Sequence, residues 1–298
     1  MTMEQAGGAA NESWRAQLGD WVGRKETRHD VAHGWPVAAL AATLDRNEPE
    51  LMSGNATGAA IPLGWHWLYF LDAKPASELG PDGHPRRGGF LPPIPLPRRM
   101  WAGGRLEFAR PLRVGETIRR ESEIVSIESK QGRSGALVFV TVRHLVHAGG
   151  ALAVREEHDI VYRDMPRAIE PMPAAKPAPA HAPWRREIQG DPVLLFRFSA
   201  LTFNGHRIHY DLDYATREEH YPGLVVHGPL QTILMLDLCR RQQASRPVKA
   251  LDYRAVHPIF HTERFTVNGH PGVDGSAAEL WTANAAGSYA MTGKAAFA

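Results

Sequence analysis

The stretch "HGPLQTILMLDLCRRQ", His227 to Gln242, decides the fold. A glycine and a proline suited to a first helical turn open it, and the run that follows is apolar nearly all round. A helix of that kind has no face to give to water. It must be wrapped, and the economical wrapping is a curved antiparallel sheet. Strand signals follow it in "KALDYRAVHPIF" (249–260), "ERFTVNGH" (263–270), "AAELWTAN" (277–284) and "SYAMTGKAAF" (288–297). Ahead of it, "VLLFRFSAL" (193–201) reads as one more strand.

The first half of the chain carries the same ingredients. "ETIRRESEIVSIES" (116–129), "ALVFVTVRHLVHAG" (136–149) and "ALAVREEHDIVYRD" (151–164) are rich in β-branched residues and separated by "KQGRSG" and "GG" turns, so they form an antiparallel meander. "PVAALAATLDR" places a helix over Pro36–Arg46, and "LPPIPLPRRMWAGG" (91–104) reads as loop. "HGWPVAAL" at His33 faintly echoes "HGPLQTIL" at His227, each opening a helix. The class is α+β, one helix and several antiparallel strands in each half.

Between the halves lies "PRAIEPMPAAKPAPAHAP", where six prolines deny helix and central strand alike. It marks a semi-rigid linker. The expected division is 1–165, a linker over 166–189, and 190–298. A chain of 298 residues suits two such units, and 43% hydrophobic with 22% charged residues supplies a real core. The net charge of +2 is too small for a nucleic-acid surface. Doublets at Arg86–Arg87, Arg98–Arg99 and Arg240–Arg241 suit a small anionic ligand or are simply solvated. Cys239 is the only cysteine, which excludes an intrachain disulfide framework and a cysteine-based zinc site. The opening "MTMEQAGGAANESW" lacks the features of a signal peptide, and no apolar run approaches the ~20 residues of a membrane span. The expectation is a soluble cytoplasmic protein.

"LTFNGHRIHYDLDYA" (201–215) and, after it, "YPGLVVHGPL" (221–230) resemble the two signature elements of the MaoC-like (R)-specific enoyl-CoA hydratases. With "GWHWLYFL" (64–71) and "LPRRMWAGGRLEF" (96–108), the chain is similar to the two-domain branch of that family, the mesaconyl-CoA and itaconyl-CoA hydratases and the 3-hydroxyacyl-thioester dehydratases. The resemblance implies a double hotdog, with the catalytic residues in the C-terminal repeat and the N-terminal repeat shaping the substrate tunnel. One departure stands out. Asn204 occupies the position of the wider family's catalytic aspartate, with Phe203, His206 and Arg207 in place of its glycine, asparagine and proline.

Adding water to a 2-enoyl thioester needs a base for the water, a donor for the developing enolate oxygen and a proton for the α-carbon. His209 is the candidate base, and Asn204 the group that orients the water without changing charge. The backbone N–H of Gly228, at the start of the helix, is the candidate oxyanion donor, although an ordinary glycine at a helix start looks the same in sequence. His206 either hydrogen-bonds into the site or faces solvent. Arg207 reaches a phosphate or a carboxylate of the substrate, or lies on the surface. Tyr210, Asp211 and Asp213 structure the segment, His227 packs or caps, and Cys239 sits in the core. His206 and His209 nominally share metal-ligand spacing, but no metal is expected.

A dicarboxylic acyl group needs an arginine for its buried carboxylate, and Arg98 or Arg99 is the candidate. Coenzyme A is expected as part of the substrate, or an acyl-carrier protein in its place, and no separate cofactor. A monomer and a homodimer are both open. Two other classes compete, a non-catalytic acyl-thioester-binding protein, kept alive by Asn204, and a thioesterase, for which this segment lacks a carboxylate base.

Overall fold

The computed structural model describes residues 14–15, 17–52, 56–132, 135–165 and 176–298. Most of the proline-rich stretch, 166–175, lies outside the described residues. Among the described residues ten strands form one antiparallel sheet: β1 (Lys25–Val31), β2 (Arg98–Phe108), β3 (Thr117–Gly132), β4 (Gly135–Ala148), β5 (Ala151–Arg163), β6 (Trp184–Gln189), β7 (Val248–Ala255), β8 (Arg264–Pro271), β9 (Ala277–Ala283) and β10 (Tyr289–Phe297). Their spatial order is β1-β3-β4-β5-β2-β7-β10-β9-β8-β6. Read outward from the β2–β7 seam, each half has the same five-strand order, so the sheet is two repeats joined edge to edge. The fold is an α+β double hotdog.

The seam explains two glycines that read as a turn in the sequence. A Cβ at Gly103 would lie 2.6 Å from the Tyr253 carbonyl oxygen, and one at Gly104 would lie 2.5 Å from the Glu157 carbonyl oxygen. Only bare backbone fits between β5 and β7 there. The stretch 91–104 is therefore loop only as far as Pro97, and β2 begins at Arg98.

Among the described residues three helices have ten residues or more, α1 (Gly34–Thr43), α2 (Pro192–Leu201) and α3 (Gly228–Gln242), and α3 packs against β6 to β10. The run Leu230 to Cys239 is buried without interruption, as its all-round apolar character requires. The expected strand over 193–201 is a correction: it is α2. Asp191 accepts from the amides of Val193 and Leu194 at 2.9 and 3.0 Å, and Pro192 stands in the first turn, so capping chemistry sets the segment's conformation. The helices are unequal. α1 follows β1 as α2 follows β6, so the echo between His33 and His227 joins positions that the topology does not equate. The 3₁₀ turn Trp65–Leu68 packs on α3 instead, with Gly64 close against Ile233 and Leu236. Trp184–Gln189, read from the sequence as the end of the linker, pair with β8 as the outer strand of the second repeat.

Buried charge ties the halves together. Asp237 on α3 meets Arg46 at 3.1 Å, Arg186 at 2.6 Å and Arg241 at 2.8 Å, and Arg46 also meets Glu48 at 2.7 Å. Arg240 pairs with Glu48, so this doublet binds protein rather than ligand. Cys239 is buried. Among the described residues no helix is long and apolar enough to cross a membrane.

Candidate active site

α2 ends where the signature begins. Phe203 adopts φ 48°, and the amide of Asn204 closes back on the Ser199 carbonyl at 2.8 Å, so the chain leaves the helix through a left-handed residue. The segment then turns through the 3₁₀ unit Arg207–His209. Tyr210 donates to the Gly205 carbonyl at 3.0 Å, and Asp211 accepts from the Tyr214 amide at 3.0 Å and from Arg207. These contacts shape the overhang.

The overhang lines a cavity of about 1330 Å³ that draws walls from both halves. Asn204, His206, His209 and Gly228 come from the second half, and His84, Arg99, Trp101, His144 and His158 from the first. His209 is 7% exposed, and its Nδ1 donates to the Val225 carbonyl at 2.7 Å. A carbonyl only accepts, so the ring proton resides on Nδ1 and Nε2 keeps its lone pair. Burial lowers the His209 pKa to about 4, so the ring is neutral at pH 7. His227 stacks on it at 3.6 Å between centroids and holds Ser199 Oγ at 2.8 Å through Nε2. His227 packs; its side chain caps nothing.

Asn204 Oδ1 accepts the His206 amide at 3.0 Å, which fixes the carboxamide and leaves its NH₂ group for a ligand. Gly228 stands at the first turn of α3, where backbone N–H groups lack intrahelical partners, and Trp101 of β2 lies over its α-carbon. The arrangement can offer a neutral base, an amide donor and an unpaired helix amide to one bound acyl group.

The four nominated binding residues divide. Arg99 lines the cavity beside the Tyr162 hydroxyl, where its charge acts on His84, His206 and His158, and among the described residues no carboxylate forms a salt bridge with it. His206 is buried against the site, not in solvent. Arg98 is a correction: it is buried against Glu219 at 2.7 Å and hydrogen-bonded to Tyr221, so its charge is already compensated. Arg207 is another, held by Asp211 at 2.7 Å and the Pro81 carbonyl at 3.0 Å, with its guanidinium over the Tyr214 ring.

Beyond Arg99, sequence reading missed the carboxylates and histidines that the first half brings to the site. Asp82, His84 and His206 offer ligand atoms within 4.8 Å of one another, a set able in principle to hold a metal ion. Two features weigh against it: Asp82 already occupies His84 Nδ1 at 2.9 Å, and the rings of His84 and His206 overlie at 4.1 Å. The "PDGHP" stretch, a histidine two residues after an aspartate between prolines, was the available signal. Outside the lining, buried Glu156 accepts from the wall residue Trp67 through Nε1 and from His66 Nε2, each at 3.0 Å. Burial pushes its pKa up, but the His66 hydrogen bond and the neighbouring imidazoles outweigh this and hold it well below the usual carboxylate range.

A model of the hydroxyacyl-thioester dehydratase type 2 family matches residues 64–261, about two-thirds of the chain. The chain belongs to that family. It is a hydro-lyase. It is 49% identical over 257 residues to mesaconyl-C(4)-CoA hydratase of Chloroflexus aurantiacus, covering 85% of this chain and 89% of that one. It is 30% identical over 252 residues to the mitochondrial hydroxyacyl-thioester dehydratase type 2 of Schizosaccharomyces pombe, covering 76% and 83%. A MaoC-like dehydratase structure from Phytophthora capsici superposes with a TM-score of 0.67 at 14% identity, covering 93% of this chain and 96% of that one, a likeness of fold.

The buried imidazoles of this hydro-lyase make it acid-labile. Burial lowers His84, His158 and His209 to about 4 and His144 to about 3. Unfolded histidines take up protons from about pH 6.5 downward while these stay neutral in the fold, so stability is full above that pH and falls below it. Each such histidine costs about 1.4 kcal/mol per pH unit down to its folded pKa. Urea unfolding midpoints are expected to be level from pH 7 to 8 and to drop steeply from 6.5 to 4.5.

Proposed function

We propose that the chain hydrates a short dicarboxylic 2-enoyl-CoA of the mesaconyl type, and catalyses the reverse dehydration. The observation that carries this reading is Arg99, which stands in the cavity wall, salt-bridged to no carboxylate among the described residues, with a neutral base, an amide donor and a helix amide in the same cavity. The identity to a mesaconyl-C(4)-CoA hydratase supports the same substrate class.

Water sits between His209 Nε2 and the Asn204 NH₂. The NH₂ donates to the water oxygen, which turns a water proton towards the imidazole. An amide therefore suffices where the MaoC-like signature has an aspartate. His209 takes the proton, the oxygen forms its bond to the β-carbon, and the alkene's electron pair moves onto the thioester oxygen. The Gly228 N–H receives that charge at the positive end of α3. The imidazolium then returns its proton to the α-carbon. Coenzyme A arrives with the substrate and no other cofactor is needed, nor are a membrane or nucleic acid. We place the reaction in the cytoplasm, and a homodimer of double hotdogs is the expected assembly.

Arg99→Gln tests the acyl group. A charge-assisted contact to the free carboxylate is worth about 1.5–3 kcal/mol, so kcat/KM for mesaconyl-C(4)-CoA falls ~10- to 100-fold. With crotonyl-CoA, which has no second carboxylate, it changes less than about threefold. Equal losses on both substrates, or a wild type that prefers crotonyl-CoA, would reject the dicarboxylate reading.

A further inference from the structure

The site as described lacks a negative charge. His209, His206 and His227 are neutral, Arg99 is cationic, and the proton that His209 takes makes a second cation beside them. A buried imidazolium without a counter-charge is costly. Position 204 holds an amide, where the MaoC-like signature that the segment resembles has an aspartate. The first half brings a carboxylate to this place through a backbone contact too tight to be incidental. A Cβ at Gly83 would stand 1.9 Å from the Gly205 carbonyl oxygen, and one at Gly205 would stand 2.7 Å from that of Gly83. The two segments touch main chain to main chain, and Gly83 has φ +86°, a left-handed conformation that favours glycine. The Arg207 amide donates to the Asp82 carbonyl at 2.9 Å and its guanidinium to that of Pro81 at 3.0 Å. The loop around Gly83 is thus docked onto the signature segment itself.

What the docking delivers is an oriented imidazole. Asp82 Oδ2 accepts from His84 Nδ1 at 2.9 Å, and Asp82 Oδ1 accepts the His84 amide at 3.1 Å. The carboxylate fixes the Nδ1–H tautomer and leaves Nε2 as an acceptor. His84 lines the cavity and overlies His206, whose ring stands edge-on to His209 at 5.4 Å. Burial first, then Arg99, lowers the His84 pKa to about 4 despite Asp82, so the ring is neutral at pH 7.

We propose that the Asp82–His84 pair is a positioning element of the active site supplied by the first half. Resting on the hydratase reading, it works as follows. His84 Nε2 accepts the second O–H of the attacking water, the one that is not broken and remains as the product's hydroxyl. One proton goes from water to His209 and on to the α-carbon; none passes to His84. With the Asn204 NH₂ donating and two imidazoles accepting, the water's remaining lone pair is directed at the β-carbon. Asp82 holds the tautomer through its bond to Nδ1.

The test compares His84→Gln with His84→Leu, alongside Asp82→Asn, in the full chain with mesaconyl-C(4)-CoA and crotonyl-CoA. Glutamine keeps an acceptor oxygen near the Nε2 position and leucine fills the space without one. Expected are a fall in kcat of about 10²-fold for His84→Leu with KM within about threefold, and recovery to within about tenfold of wild type for His84→Gln. Asp82→Asn, which frees the tautomer, is expected to lower kcat about tenfold. Equal kcat for the leucine and glutamine variants, or a loss confined to KM, would overturn the proposal. So would wild-type activity that needs added zinc and falls with a chelator, since it would assign Asp82, His84 and His206 to a metal. Should the leucine variant not fold, the glutamine and Asp82→Asn values decide, and wild-type-like kcat in Asp82→Asn counts against it. A wild type that hydrates no enoyl thioester defeats the underlying reading; a wild type that does so, matched by His84→Leu, defeats this inference alone.

Discussion

His209→Ala lowers kcat for hydration by about 10²- to 10⁴-fold while the protein stays folded and still binds coenzyme A thioesters. The size follows from what is removed. His209 is a buried cavity histidine whose proton is fixed away from the reaction by a backbone carbonyl, at 2.7 Å from Nδ1, so that its basic nitrogen is defined by the fold. His227 does not substitute: it is fully buried outside the cavity lining, with its Nε2 on Ser199 at 2.8 Å. Glutamine at 209 should be nearly as poor as alanine, since a carboxamide can hold water but cannot take its proton. The pH profile carries the same signature. A base must be neutral to act, and burial lowers this one to about 4, so kcat is expected to be level from pH 5.5 to 8 in protein that remains folded. An acid limb centred near 6.5 would mean an imidazole exposed to water.

The largest effect on stability is expected from Asp237→Ala. Asp237 and Arg46 have side chains only 2% and 3% exposed, and the carboxylate also receives Arg186 and Arg241. Deleting one partner of a buried pair leaves the other charge uncompensated, at a cost of about 3–5 kcal/mol. Glu48 still reaches Arg46, which places the loss toward the lower end. The apparent Tm should fall on the order of 10 °C. Replacing the pair together by apolar residues of similar volume should recover part of that loss, because the desolvation of both charges then disappears. A Tm within 2 °C of wild type would show that water reaches Arg46 in solution.

The parts of this molecule legible in its sequence are those set by one strong local rule. α3 declared itself because an apolar run bounded by Gly228–Pro229 and Arg240–Arg241 has nowhere to go but inside a sheet. The β3–β4–β5 meander declared itself through β-branched residues and glycine turns. α2 did not, since "VLLFRFSAL" has no clear period and its helical state rests on Asp191 and Pro192 just outside it. β2 was hidden by four prolines before Arg98 and by Gly103 and Gly104, whose reason is a long-range seam that no local pattern reports. The site divides the same way. His209, Asn204 and Gly228 stand within 25 residues and formed a readable motif. His84 and Asp82 lie more than 100 residues upstream and reach the cavity through the Gly83–Gly205 contact, which exists only once both halves have folded. Adjacent arginines were equally inviting in sequence. Burial against Glu219 separates Arg98 from Arg99, and strand alternation turns the two to opposite faces.

The most direct measurement is the reaction of the purified protein with mesaconyl-C(4)-CoA in ¹⁸O-labelled water, followed by mass spectrometry of the thioester. The account predicts loss of the enoyl thioester, one ¹⁸O in a hydroxyl on the β-carbon of an intact coenzyme A thioester, and no such product with His209→Ala. Free coenzyme A with ¹⁸O in the released acid would make the protein a thioesterase, and tight binding with no labelled product would make it a holder of acyl thioesters; either result contradicts the account.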